Sequence, residues 1–408
     1  MRVSGAKNAV LPIMASALLS DGPLEIANVP RLRDIETFVR LLGSMGASVV
    51  REEDGETGRS VLRIDARDAR KAEAPYDMVK TMRASVLVLG PLVARHGTAR
   101  ISLPGGCAIG ARPIDQHLKG LEALGAETTL SEGYIEARAK RLTGATVYFD
   151  VKTVTGTENL MMAATMARGT TVLKNAAREP EVCDLARALR GMGADIEGDG
   201  TDEIVVRGVK SLSGTRHEVM ADRIEAATLL LAGAITGGDV RVEGADAGAM
   251  DAVLEKIGES GADVSPLPGG VRVRRNGHIR SVNVKTAPYP GFPTDVQAQF
   301  MAYMCLGDDF SIIRETIFEN RFMHAAELRR MGAQIDISGS TAAVKGVPRL
   351  SGAPCMATDL RASASLVLAG LAGTGVTEIL RIYHLDRGYE MLETKLSSLG
   401  ADIVRVQE

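Results

Sequence analysis

Cys107 lies in the run Leu103-Pro104-Gly105-Gly106-Cys107-Ala108-Ile109-Gly110-Ala111-Arg112-Pro113, where three glycines and two prolines fall within eleven residues. Glycine admits positive φ and proline fixes φ, so the run reads as a shaped loop rather than a helix or a central strand. Arg112 follows the thiol, and nearby positive charge favours thiolate over thiol. A helix is predicted to begin near Ile114-Asp115-Gln116-His117, so the loop leads into a helix N-terminus. A thiol on a glycine loop beside a cation suits acid–base or covalent chemistry. The competing reading is a small buried hydrophobe, which is what most free cysteines are, and the stretch alone does not choose.

Other groups could bind anions. Lys7-Asn8 follows Ser4-Gly5-Ala6 and precedes a predicted helix, a place where an anion fits; taken in isolation, a solvated surface lysine is the plainer reading. Met82-Arg83-Ala84-Ser85 and Asp359-Leu360-Arg361-Ala362-Ser363 each open an alanine-rich helix, as do Asp222-Arg223-Ile224-Glu225 and Thr294-Asp295-Val296-Gln297. Acids and hydroxyls there would cap the helices in any case. Arginines work against the helix dipole, so Arg83 and Arg361 call for a phosphate or carboxylate partner. Arg112, Arg321 (in Asn320-Arg321-Phe322-Met323-His324) and Arg387 (in Arg381–Gly388) stand at matched loop positions, as if to converge on one anionic ligand. No phosphate-binding GxxxxGK[ST] loop, no GxGxxG after a strand and no serine nucleophile elbow occurs. Nucleoside triphosphate hydrolysis and hydride transfer therefore have no support.

The elements that must position these groups recur. A pattern of two apolar residues three apart, then Gly-Ala, places glycines at 46, 125, 193, 261, 332 and 400. Their separations are 79, 68, 68, 71 and 68 residues. Glycine at this point is the signature of a helix end. β-rich runs follow, as at Ser48-Val49-Val50, Asp195-Ile196, Gln334–Ile337 and Asp402-Ile403-Val404. Each unit also has an earlier apolar helix and a strand: Ser85–Arg95 then Thr98–Leu103, Ile224–Ile235 then Asp239–Glu243, Ala362–Ala372 then Gly375–Ile379. Helices apolar on most faces suit burial. The reading is α/β: helix, strand, helix, strand and a further strand, six times over. The polar link Lys210–Asp222 falls between the third and fourth units and places a boundary. Two pseudo-symmetric domains follow, 1–218 with the Cys107 loop and 219–408, with residues 1–6 the stretch that could instead pair with the second. Clefts between domains are where ligands usually bind.

Bulk properties set bounds. The chain has 408 residues, 45% apolar and 24% charged, with a net charge of −3, which suggests neither nucleic acid nor an anionic membrane as partner. Cys107, Cys183, Cys305 and Cys355 are scattered without zinc spacing, as suits a reducing cytoplasm. Residues 1–21 resemble a signal peptide in having Arg2 and Lys7 ahead of an apolar run, but Pro12 breaks that run and it matches later segments of the chain. No apolar stretch reaches the length of a membrane span.

Five separated runs support a resemblance: Ser4-Gly5-Ala6-Lys7-Asn8, Leu103–Pro113, Phe292-Pro293-Thr294-Asp295, Glu319–His324 and Thr358–Ser363. Together they resemble the enolpyruvyl transferase family, in its branch that uses UDP-N-acetylglucosamine, along essentially the whole chain. The resemblance implies two inside-out α/β barrels, each of three βαβαββ-type repeats. It implies transfer of the enolpyruvyl group of phosphoenolpyruvate to the sugar 3-hydroxyl, with loss of phosphate, through a tetrahedral intermediate, as the first committed step of peptidoglycan synthesis. By the same resemblance Cys107 donates a proton and can form a covalent adduct, and Asp295 is the base, with Asp359 as its competitor. Lys7, Arg112 and Arg387 hold phosphoenolpyruvate, Asn8 steadies the intermediate, and Arg361 is a further cation of the set. Arg83, Arg112, Pro113, Ile114, Asp115, Gln116, Lys152, Thr153, Val154, Thr155, Ile317 and Arg321 match sugar-nucleotide contacts, with His117 near the uracil end. No metal or organic cofactor is expected, and the partners are small-molecule substrates. The domains close on the sugar nucleotide and the Cys107 loop shuts as a lid.

Two departures stand out. The family usually has about a dozen or more residues before the Ser-Gly-Ala-Lys-Asn motif, forming strands of the second domain, so an exposed edge is expected there. Val154-Thr155-Gly156-Thr157-Glu158-Asn159 also differs, and binding through backbone groups is expected at that loop. The rivals are the sister enzyme acting on shikimate 3-phosphate, which lacks the cysteine loop, and a non-catalytic UDP-sugar-binding regulator, which would be expected to lose the charged residues retained here.

Overall fold

The computed structural model describes residues 1–55, 58–80, 82–103 and 114–406. Cys107, Arg112 and Pro113 therefore lie outside the described residues. The rest falls into two compact units, one of residues 5–220 and one of Met1–Ser4 with 221–406.

In the first unit three four-stranded sheets share one order. The second is Glu73–Ala74, Thr98–Ser102, Tyr134–Arg138, Glu127–Ser131, and the third is Thr146–Tyr148, Thr170–Lys174, Glu203–Arg207, Asp195–Glu197. In each, the opening strand pairs in parallel with the next, and the closing hairpin pairs antiparallel. A helix separates the first two strands and another precedes the hairpin, since a parallel pair needs a crossover and an antiparallel pair only a turn. In the first sheet the opening position is filled by Arg216–Glu218, parallel to Leu24–Ala27. The expected polar link Lys210–Asp222 is thus partly strand: the chain returns to its own first repeat before leaving the unit.

The second unit repeats the plan. Its sheets are Asp239–Glu243, Gly270–Arg274, Asp263–Leu267; then Val284–Lys285, Phe310–Arg314, Thr341–Lys345, Gln334–Ser338; then Pro354–Met356 with Glu378–Leu380. The opening position of the first is taken by the chain start: Arg2 bridges Glu243 in parallel, and Val3 N donates to Glu243 O at 3.0 Å. The strand expected at Asp402-Ile403-Val404 does not form; residues 401–406 have no regular structure, and Val404 and Val406 are exposed. In the other repeats that strand pairs with the last strand of its own hairpin, and the sixth sheet contains only its parallel pair.

The inner helices are buried on all sides and mostly apolar. Val154–Ala164 buries every residue from Gly156 to Ala164, and Arg223–Thr236 every residue from Ile224 to Ile235. Each fully buried leucine contributes about 1.5–3 kcal/mol. Outer helices bury one stripe, as Arg33–Ser44 does with Ile35, Phe38, Leu41 and Leu42. Strands bury alternate residues: Val240 and Val242 point inward between exposed Asp239, Arg241 and Glu243. All six repeat glycines take positive φ, from 90° to 103°. At each, the glycine N–H donates to the carbonyl three residues back, 2.9–3.0 Å away, closing the outer helix. The helix expected at Ser85–Arg95 opens instead as a 3-10 turn, Arg83–Val88, before Leu89–His96. Pro91 has no N–H to offer the Leu87 carbonyl, so the α ladder is interrupted there. No described helix is long and apolar enough to cross a membrane.

Candidate active site

The second unit assembles a carboxylate between two arginines. Asp295 stands in the 3-10 turn Thr294–Val296, Arg321 just before the helix His324–Arg330, and Arg361 in the first turn of the helix Leu360–Ala372. Arg321 Nη2 donates to Asp295 Oδ1 at 2.8 Å and Arg361 Nη2 to Oδ2 at 3.3 Å. The arginine side chains are 6% and 2% exposed and the aspartate 24%, so the carboxylate is the accessible part of a buried ionic cluster. Among the described residues, Arg361 Nε and Nη1 have no partner within ideal hydrogen-bond geometry. Its guanidinium lies 5.2 Å from the ring centre of Tyr389. The Tyr389 hydroxyl accepts from Gln299 Nε2 at 2.9 Å and lies 3.0 Å from the Thr228 hydroxyl.

Helix capping divides the acids. Asp222 Oδ1 accepts from the N–H groups of Ile224 and Glu225, and Asp359 Oδ1 from those of Arg361 and Ala362. Both do what an N-cap acid does. Asp295 makes no cap and faces the arginines instead. His324 is buried beside Asp359 and Arg321; burial pushes its pKa down to about 4. Arg387 closes the 3-10 turn Ile382–Arg387 and is half-buried. Arg321 donates to Thr294 and Asp295 of its own chain, while Arg112, its counterpart among the expected anion-binding arginines, lies outside the described residues.

In the first unit Lys7 begins the helix Lys7–Ser16, where its charge opposes the dipole. It is not a solvated surface residue: it is buried, with Nζ 3.2 Å from buried Asp34 in the first turn of the next helix. Asn8 is half-buried.

A second cluster joins two repeats of that unit. Gln116 and His117 lie in the first turn of Asp115–Ala123, with buried Ile114 before it and exposed Asp115 at its start. Gln116 Oε1 accepts from Asp150 N at 2.9 Å, and His117 Nε2 lies 3.2 Å from the Thr155 hydroxyl. Thr153 caps Val154–Ala164 by accepting from Gly156 N at 3.1 Å. Lys152 Nζ reaches Ala176 O at 3.4 Å, and half-buried Val154 packs on the core. Burial, then the charge of Arg83, lowers the His117 pKa to about 4, so the ring is neutral near pH 7.

Chemically, one unit offers a partly exposed carboxylate with fixed cations, and the other a buried ammonium paired with Asp34 and a separate polar cluster at two helix N-termini. No group of metal-ligating side chains occurs among the described residues. Sequence reasoning missed Asp34, Thr294 as a brace for Arg321, at 2.8 Å from its Nη1, and the Tyr389–Gln299 pair. Only Thr294 carried a local signal, its adjacency to Asp295.

The sequence profile of the EPSP synthase (3-phosphoshikimate 1-carboxyvinyltransferase) family matches residues 1–396. The chain is 59% identical over 406 residues to the UDP-N-acetylglucosamine 1-carboxyvinyltransferase of Geotalea daltonii, covering 100% of this chain and 96% of that one. It is 61% identical over 404 residues to the enzyme of the same name from Anaeromyxobacter sp. (strain Fw109-5), covering 98% and 95%. Its fold is similar to the enolpyruvyl transferase NikO of Streptomyces tendae, with a TM-score of 0.86 and 28% identity over 98% of this chain and 94% of that one. It also matches the fold of EPSP synthase from Acinetobacter baumannii, with a TM-score of 0.73 and 18% identity over 98% and 95%.

Proposed function

The chain belongs to the EPSP synthase family of enolpyruvyl (carboxyvinyl) transferases, and from that premise we propose how its residues divide the reaction. The enzyme transfers the enolpyruvyl group of phosphoenolpyruvate to UDP-N-acetylglucosamine and releases phosphate. One observation carries the choice of acceptor: relatives bearing that substrate in their name are 59–61% identical over nearly the whole chain.

The acceptor oxygen is the sugar 3-hydroxyl, and the path is addition then elimination. Asp295 takes the hydroxyl proton as the oxygen bonds to C2 of phosphoenolpyruvate, while Cys107 supplies a proton to the methylene carbon. Loss of a methyl proton from the tetrahedral adduct then expels phosphate and restores the double bond. Proton transfers of this kind contribute about 10²–10⁴-fold each. Exposure of the Asp295 carboxylate supports its role as base, while the capping bonds of Asp359 weigh against that residue. Lys7, Arg112 and Arg387 hold phosphoenolpyruvate, and Asn8 steadies the adduct. Arg361, a buried guanidinium whose Nη2 meets Asp295, is assigned as a further cation for the anionic substrate. Arg83, Ile114–Gln116, Lys152–Thr155, Ile317 and Arg321 serve the sugar nucleotide.

The finer architecture we assign is two inside-out barrels of three repeats each, 1–218 and 219–408. It is supported by helices buried on all faces and sheets that expose alternate residues. The setting is the cytoplasm and the pathway is peptidoglycan synthesis. The shikimate 3-phosphate reading draws on the name of the family profile, and one assay separates the two. Phosphate release from phosphoenolpyruvate is measured with UDP-N-acetylglucosamine and, in parallel, with shikimate 3-phosphate. Release with the sugar nucleotide alone is expected; release with shikimate 3-phosphate alone would overturn the assignment.

A further inference from the structure

Glu315 is buried, and its two carboxylate oxygens do different work. Oε1 accepts from the Thr286 hydroxyl at 2.8 Å and from the backbone N–H groups of Ile317 at 2.8 Å and Phe318 at 3.3 Å. Oε2 accepts from the Thr294 hydroxyl at 2.8 Å. That hydroxyl, its proton committed to Glu315, accepts in turn from Arg321 Nη1 at 2.8 Å, and Arg321 Nη2 donates to Asp295 Oδ1 at 2.8 Å.

We propose that Glu315 is a positioning residue that sets two substrate-facing groups at once: the Ile317 backbone directly, and the Asp295 carboxylate through Thr294 and Arg321. The proposal rests on the reading above, in which Asp295 is the base and Ile317 a sugar contact. Its physical basis is the direction of the hydrogen bonds. A carboxylate only accepts and a guanidinium only donates, so the one hydroxyl between them must point its proton at Glu315 and its lone pair at Arg321. The guanidinium is a rigid planar fork, so fixing Nη1 on Thr294 aims Nη2 at the carboxylate of the very next residue. Oε1 meanwhile pins the chain at 317–318 against Thr286. Thr286 also accepts from Thr316 N at 2.8 Å, which ties this segment to the end of the neighbouring strand.

Thr294→Val keeps the side-chain shape and removes only the hydroxyl, so it cuts the branch to Asp295 and leaves the branch to Ile317. In the full-length enzyme, kcat is expected to fall about 10–100-fold, as for misplacement of a reacting group. KM for UDP-N-acetylglucosamine should rise as well, because Thr294 also holds Arg321, which the reading above assigns to the sugar nucleotide, so the relay is read from kcat and the pH–rate profile. The acidic limb of the pH–rate profile should shift, which a merely structural role would not cause, and Thr294→Ser should restore both. Glu315→Met keeps the side-chain length and removes both accepting oxygens, so it cuts both branches and should lower kcat and raise KM further than Thr294→Val does. In the double variant the two kcat losses should combine to less than their product, as for residues in one network. A Thr294→Val enzyme with normal kcat and an unmoved acidic limb, or losses that multiply in full, would overturn the relay. Wild-type enzyme is assayed alongside: absence of turnover there would overturn the reaction itself, and the relay with it. Normal wild-type turnover beside an unperturbed Thr294→Val overturns the relay alone.

Discussion

Arg361 Nη2 stands 3.3 Å from Asp295 Oδ2, and Arg361 is the largest fully buried side chain among the described residues. A buried cation of that size is tolerated because charge compensates it, so removing the compensation should be costly. Asp295→Ala is expected to destabilise by about 3–5 kcal/mol, the usual range for breaking a buried ion pair. Asp295→Asn keeps the shape and an accepting oxygen, so it should fold. On the proposed role of Asp295 as general base, the variant's kcat should fall about 10²–10⁴-fold with sugar-nucleotide binding retained. Pre-steady-state proton release and calorimetric binding of UDP-N-acetylglucosamine separate the two effects. Asp359→Asn retains a good N-cap, and its pH–rate profile identifies the base. The limb should survive in Asp359→Asn and vanish in Asp295→Asn; the opposite pattern would assign the role to Asp359.

The cysteines give a second expectation. Burial pushes the thiol of Cys183 up to about 11 and that of Cys305 up to about 12, and it raises Cys355 as well. At pH 8 a thiol with a pKa near 11 is thiolate only about one part in a thousand, and the thiolate is the nucleophile. An epoxide phosphonate of the fosfomycin type should therefore label Cys107 alone, as read by peptide mass mapping. Cys107→Ala should take up no label and should lose turnover while keeping sugar-nucleotide binding. Label on Cys183, Cys305 or Cys355 would contradict the burial argument.

Close helix packing behind the Gln116–His117 cluster gives a third. A Cβ on Gly120 would lie 1.9 Å from Leu160 Cδ1, and one on Gly90 would lie 2.4 Å from the Asn159 carbonyl oxygen. Alanine favours a helix over glycine by about 1 kcal/mol, but overpacking costs about 1–3 kcal/mol or more. Both variants should lose stability, and Gly90→Ala should lose more, since a backbone cannot rotate aside as a leucine side chain can. Urea midpoints of the two variants test the order.

Much of this was legible in the chain because it depends on local chemistry. The six repeat glycines mark helix ends wherever the fold puts them, since left-handed backbone is cheap only for glycine. Asp222 and Asp359 could be read as caps because a cap spans two or three residues. What was hidden depends on long-range placement. Lys7 looks like a surface lysine until Asp34, 27 residues on, is folded against it. Arg216–Glu218 has too few residues to show a strand period, and only its partner Leu24–Ala27 makes it one. Glu315 is an ordinary acid in sequence; burial against four donors gives it a task.

The buried His117 of the Gln116–Thr155 cluster predicts how stability follows pH. Burial lowers the folded-state pKa of His117 from 6.5 to about 4. Above pH 6.5 the ring is neutral in both folded and unfolded chains, and its contribution is fully present. As pH falls below 6.5 the unfolded chain binds a proton that the folded one refuses, so stability is lost at up to about 1.4 kcal/mol per pH unit. The loss levels off near pH 4, where the folded ring also protonates. Between pH 7 and pH 5 the wild type should lose about 2 kcal/mol on this account. His324, lowered to about 4 by its own burial, adds a loss of the same sign. In His117→Gln, where the side chain cannot titrate but can still meet the Thr155 hydroxyl, the loss over that interval should shrink by about 2 kcal/mol. Urea unfolding at the two pH values measures it directly, and equal losses in variant and wild type would mean that His117 titrates normally in the folded protein.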